Sequence, residues 1–114
     1  MLISTSTPPL QPGDSVEYGL GLMMELRVRH LPVVSPAGRL LGLLSEEMLL
    51  DAESPATTVE TLLGAEPISI SNGLYVFDAT KVMMDHDLTL IPVVDDEQQF
   101  QGIVRRHDLF ERFA

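Results

Sequence analysis

The sequence predicts an α+β fold built from two copies of one strand–helix–strand–strand–helix unit. Three observations predict it. Leu31-Pro-Val-Val-Ser-Pro-Ala-Gly-Arg-Leu-Leu-Gly-Leu-Leu-Ser45 returns sixty positions later as Ile91-Pro-Val-Val-Asp-Asp-Glu-Gln-Gln-Phe-Gln-Gly-Ile-Val-Arg105. A segment that recurs at a fixed offset is two copies of one folding unit. The offset holds without a gap between positions 10 and 50: Gly13 matches Gly73, Val16 Val76, Met23-Met24 Met83-Met84, Gly42 Gly102 and Leu49 Leu109. Within each copy, helical spacing of apolar residues gives way to short β-branched runs, the change of period that separates helix from strand.

Composition narrows the classes. With 114 residues and 45% hydrophobic content the chain has enough apolar surface for one core, and two half-size units must share it. No run of about 18 apolar residues is present, so no membrane span is expected. The start, Met-Leu-Ile-Ser-Thr-Ser-Thr-Pro-Pro, lacks a basic flank and does not read as a signal peptide. No cysteine is present, which removes disulfides and thiolate chemistry and leaves the cytoplasm as the expected location. The net charge of −10 repels phosphate backbones and anionic lipid, so nucleic acid and membrane are not expected partners. A small anionic ligand held by a few local donors remains compatible with it.

The elements follow in order. Leu2-Ile3 suggests a brief strand, and Pro8 to Gly13 an extended lead-in ending in a turn. Asp14 or Ser15 can cap a helix carrying Val16, Leu20, Met23 and Met24. Gly19 and Gly21 inside it suggest close backbone approach or a weak helix. Leu31 to Val34 is a strand, with Pro32 expected at its start or on an edge because it has no N–H. Ser35 to Gly38 turns the chain into Leu40 to Leu44, apolar almost throughout and so expected to be buried on both faces. Ser45 can cap a helix over Glu46 to Ala52. Thr57 or Thr58 can cap a short helix ended by Gly64. The second copy repeats the plan: strand Pro67 to Ser71, turn Asn72-Gly73, helix Leu74 to His86 with Val76, Ala79, Thr80, Met83 and Met84 inward, strands Leu88 to Val94 and Phe100 to Val104, and a closing helix Arg106 to Phe113. The boundaries are residues 1–52 for the first repeat with its N-terminal extension, 53–66 for a linker with a short helix, and 67–114 for the second repeat.

Leu31-Pro-Val-Val, Ile91-Pro-Val-Val, Leu41-Gly42-Leu43-Leu44-Ser45 and Gly102-Ile103-Val104 resemble the motifs of a tandem pair of CBS domains, the Bateman module, over residues 8–113. His30-Leu31-Pro32 and Leu41-Gly42-Leu43-Leu44-Ser45-Glu46 look like the small stand-alone CBS-pair proteins of bacteria. The resemblance implies two β-α-β-β-α repeats packed about a pseudo-twofold axis and a regulatory module rather than an enzyme, with no required cofactor. It implies a ligand such as AMP, ADP, ATP or S-adenosylmethionine in a cleft between repeats, disc-like homodimers, and an unidentified effector protein. In the family pattern a Ser or Thr approaches ribose or phosphate, and an Asp three residues later accepts from the ribose hydroxyls.

Both copies depart from that pattern. The first keeps Ser45 but has Met48 at the Asp position; the second keeps Asp108 but has Arg105 at the Ser/Thr position. A thioether does not replace a carboxylate, and losing hydrogen bonds to a charged group costs about 1.5–3 kcal/mol each. The better cleft is therefore expected to use Asp108, with Arg105 and Arg106 as phosphate donors at a helix start. Its expected wall is Ile68, Ser69, Ile70, Leu90, Ile91 and Pro92. A second, degenerate cleft would use Leu31, Pro32 and Ser45. The alternative is a ligand-free interaction or dimerisation scaffold. Met23-Met24 and Met83-Met84 bear on it: adjacent residues of a helix cannot point the same way, so one of each pair can reach the surface, where methionine adapts to a partner. His30, His86 and His107 lack metal-ligand spacing, and Asp85-His86-Asp87 reads as a helix end. No nucleophile elbow or P-loop occurs.

Overall fold

The computed structural model describes residues 3–5, 7–64, 67–71 and 76–108, without the side chains of Val76 and Phe77. Helix α1 spans Val16–Leu26, strand β1 His30–Val34, strand β2 Leu40–Ser45 and helix α2 Glu46–Leu50. A 3₁₀ turn, Val59–Leu62, leads to β3 Ile70–Ser71, α3 Val76–Asp85, β4 Leu90–Val94 and β5 Phe100–Arg105. Arg106, His107 and Asp108 are helical, and the rest of the expected closing helix lies outside the described residues. So do the Asn72-Gly73 turn and Leu74.

The sixty-residue offset recurs in the backbone. β1 pairs antiparallel with β2 in the register His30↔Ser45, with an irregularity between Val33 and Val34. β4 pairs with β5 in the register Leu90↔Arg105, with the same irregularity between Val93 and Val94. Leu10 bridges Val33 in parallel, as Ile70 in β3 pairs with Val93. Arg27 and Asp87, which end α1 and α3, both adopt left-handed backbone at φ 57° and 51°.

Local chemistry explains the boundaries. Ser15 Oγ accepts from the Tyr18 N–H at 3.0 Å and starts α1. A Cβ on Gly19 would stand 3.1 Å from Leu49 Cδ1, so that glycine lets α1 approach α2; Gly21 has no such neighbour. Pro32 lies inside β1, but its carbonyl accepts from the Leu10 N–H, which places its ring nitrogen on the side away from β2.

Three expectations need correction. β2 is not buried on both faces: Leu41 and Leu43 are half-buried and alternate with buried neighbours, because the hairpin leaves one face partly open. The strand expected over Pro67 to Ser71 shortens to Ile70–Ser71, where β4 offers partners. Met84, expected inward, is 58% exposed and Met24 is 77% exposed, while Met23 and Met83 are buried. Helical geometry turns consecutive side chains about 100° apart, so only one of each pair can enter the core.

The core crosses the repeats. Leu10, Leu31, Val33 and Leu44 pack with Leu90 and Ile103 in one cluster. A second cluster joins Ile70, Ala79, Met83, Ile91 and Val93, with Leu43 of the first repeat against it.

Candidate functional site

The two hairpins meet along an axis fixed by matched hydrogen bonds. At one end the Leu40 N–H donates to Gln98 O at 3.1 Å and the Phe100 N–H to Gly38 O at 2.8 Å. These two bonds exchange under the sixty-residue offset. At the other end the Arg29 N–H donates to Thr89 Oγ1 at 3.2 Å. His30 Nδ1 lies 3.0 Å from that hydroxyl and 3.3 Å from the Thr89 N–H. An amide can only donate there, so Nδ1 is an acceptor and carries no proton.

Burial pushes the His30 pKa down; Asp87 opposes this and Arg29 reinforces it. A histidine whose folded pKa is lowered favours folding while neutral. Its contribution is complete above the ordinary value of about 6.5 and is lost as pH falls through that value toward the folded one. Urea unfolding of the wild type should therefore show lower stability at pH 5.5 than at pH 7.5. His30→Gln should flatten that difference; an equal loss in the variant would exclude His30 as the source.

Each repeat's lead-in segment lies on the other repeat's hairpin. Ser4 pairs with Ile103: its N–H donates to Ile103 O at 2.7 Å and its carbonyl accepts from the Ile103 N–H at 2.9 Å. A Cβ on Gly102 would stand 2.6 Å from Ser4 O and 2.7 Å from Ile3 Cγ2. Sixty residues on, a Cβ on Gly42 would stand 2.5 Å from Leu63 Cδ2. The absence of a side chain in each Gly-apolar-apolar motif is what admits the opposite segment.

This crossing regroups the expected ligand residues. Ile68 lines a recess of about 210 Å³ with Gly42, Leu63 and Met48, on the first repeat's side. It does not line the recess that holds Arg105 and Arg106. Ile70, Leu90, Ile91 and Pro92 are buried, as are Leu31 and Pro32, and Ser69 is half-buried. Of the expected wall, Ile68 thus lies on the side of Met48 rather than with Arg105 and Arg106. Ile3 and Ser4 stand against Gly102, and Thr7 against Arg105; they are the counterparts of Leu63, Gly64 and Pro67. The sixty-residue offset, extended back beyond position 10, pairs these positions. Ser45 Oγ accepts from the Met48 N–H at 3.2 Å and so caps α2.

Two further depressions flank the Arg29–Thr89 end of the axis, and the offset relates them. One, of about 340 Å³, holds Ser45, Glu46, Glu47 and Asp87, with Arg29, His30 and His86. The other, of about 330 Å³, holds Arg105, Arg106, His107 and Arg27, with Val28 and Thr89. Glu46 corresponds to Arg106 and Asp87 to Arg27, so equivalent positions carry opposite charge. Arg106 Nη1 also lies 3.3 Å from Asp87 Oδ1, an exposed pair worth little by itself. Among the described residues, no three His, Cys, Asp or Glu side chains are grouped to hold a metal ion, and no helix is long and apolar enough to cross a membrane.

The family model of the CBS domain matches residues 2–55 and 59–114, one match for each repeat. The chain belongs to the CBS-domain family. Inosine-5'-monophosphate dehydrogenase of Korarchaeum cryptofilum is 30% identical over 104 residues, which cover 90% of this chain and 21% of that protein. The magnesium transporter MgtE of Thermus thermophilus is 31% identical over 84 residues, covering 74% of this chain and 18% of the transporter. The chain thus spans about a fifth of the length of these CBS-bearing relatives. Among solved structures, CBSX2 in complex with AMP superposes with a TM-score of 0.84 at 23% identity, covering 99% of this chain and 91% of that one. CBS pairs of this kind are regulatory and bind adenine nucleotides in homologous structures.

Proposed function

We propose that this CBS pair is a non-catalytic cytoplasmic sensor of an adenine nucleotide, held in the cleft beside Asp108. One observation carries the choice of cleft: the second repeat has Asp108 where the first has Met48. A depression that begins at Arg105, three residues before Asp108, adds Arg27, Arg105 and Arg106 as donors for a phosphate, whereas its counterpart holds Glu46, Glu47 and Asp87, which would repel one. Asp108 retains the ribose-accepting carboxylate that Met48 lacks. The AMP complex of CBSX2 and the AMP-binding chemistry it represents support the ligand class. Thermal melting against AMP, ADP, ATP and S-adenosylmethionine tests the reading, because a ligand of the folded state raises the midpoint.

A scaffold reading has its own observation. Met24 and Met84 are exposed at equivalent positions of α1 and α3, and a groove of about 570 Å³ lies between α1 and α2 beside exposed Leu50. Equivalent apolar faces suit a second copy of this chain, since a twofold interface uses one self-complementary surface. Light scattering should show a dimer that shifts toward monomer in Met24→Glu or Met84→Glu. A wild-type monomer at tens of micromolar would exclude this interface.

A further inference from the structure

Arg105 stands where Ser45 caps the equivalent helix, and it does something different. Its Nη2 donates to Thr7 Oγ1 at 2.7 Å. Thr7 is 2% exposed, the one buried polar residue among those described. Arg105 Nε is buried and, among the described residues, has no hydrogen-bond partner. A buried donor without an acceptor is unfavourable, and a guanidinium offers its donors as a fixed fork suited to phosphate oxygens. The same side chain lines the basic depression with Arg27, Arg106 and His107.

We propose that Arg105 is a latch that couples anion binding in this depression to release of the N-terminal segment. This rests on the nucleotide reading above and names how that site would signal. A phosphate in the depression supplies the acceptor that Nε lacks and draws the guanidinium off Thr7. Among the described residues, Leu10 and Ser4 also anchor the segment. Leu10 is fully buried, and its N–H and carbonyl are bonded to Pro32 O and the Val34 N–H. Ser4 is held by its two bonds to Ile103, beside exposed Ile3. The Ser4 end is the less buried anchor and opens first. Its opening bares the N–H and C=O of Ile103 on the β5 edge, groups that another chain can pair with.

Amide hydrogen exchange by NMR tests the latch, with sodium pyrophosphate and AMP as separate probes. Saturating pyrophosphate should speed exchange at Ser4 about tenfold or more and leave Leu10 unchanged, as expected for loss of one charge-assisted bond. Thr7→Val should show the fast Ser4 exchange without any anion and no further response to it. Pyrophosphate that does not bind, or that binds with Ser4 protection unchanged, overturns the latch; so does wild-type Ser4 protection in Thr7→Val. Release by pyrophosphate with no binding of AMP upholds the latch and removes the adenine reading. AMP binding without Ser4 release leaves the adenine reading and removes the latch.

Discussion

Leu90→Ala should lower the free energy of unfolding by about 2–5 kcal/mol and leave a single transition for the whole chain. Leu90 opens β4, yet its side chain has 0% exposure and packs in the cluster of Leu10, Leu31 and Leu44 from the first repeat. Truncation leaves a void bounded by both repeats, and the packed surroundings close it only in part. Units of about fifty residues bury too little surface to stand alone, so loss at the shared core is felt by both. Urea unfolding followed by circular dichroism checks this. A first-repeat transition that stays at the wild-type midpoint while a second one moves would show that the repeats fold independently.

Gly102→Ala should destabilise more than Gly42→Ala, although the two glycines are repeat equivalents. Gly102 has φ 145°, a backbone conformation that side chains rarely adopt, and its Cβ would meet the Ser4 carbonyl. The backbone strain alone is worth about 1–3 kcal/mol. Ser4 must also move, which breaks its paired bonds to Ile103. At Gly42 the obstacle is Leu63 Cδ2, the end of a flexible side chain that can turn aside. Denaturant midpoints of the two variants decide the matter; equal losses would mean that the contact with the N-terminal segment does not hold the fold.

The duplication was legible because both copies obey one steric plan. Pro-Val-Val strands, the glycine two residues into each return strand and the paired methionines recur at one offset, and the structure repeats hairpin registers, irregularities and left-handed helix ends at that same offset. Ser15 and Ser45 were readable as caps, since a short hydroxyl before an apolar-periodic run meets the free N–H groups of a helix start. The wall of the site was not readable in this way. Hydropathy says that Ile70 and Leu90 are buried, but not whether they face a cleft or the core. The crossing of Ile3–Ser4 onto Gly102–Ile103 is a contact between residues about a hundred positions apart, and no local pattern reports it. The bond from Arg105 to Thr7 was hidden for the same reason, since the two residues lie 98 positions apart.

The central claim is that the cleft beside Asp108 holds an adenine nucleotide. Thermal melting of the wild type and of Asp108→Ala, each with and without millimolar AMP, tests it most directly. The account predicts a raised midpoint with AMP in the wild type and none in Asp108→Ala, with the two proteins melting alike when AMP is absent. An equal rise in both, or no rise in the wild type with AMP, ADP, ATP or S-adenosylmethionine, would contradict it.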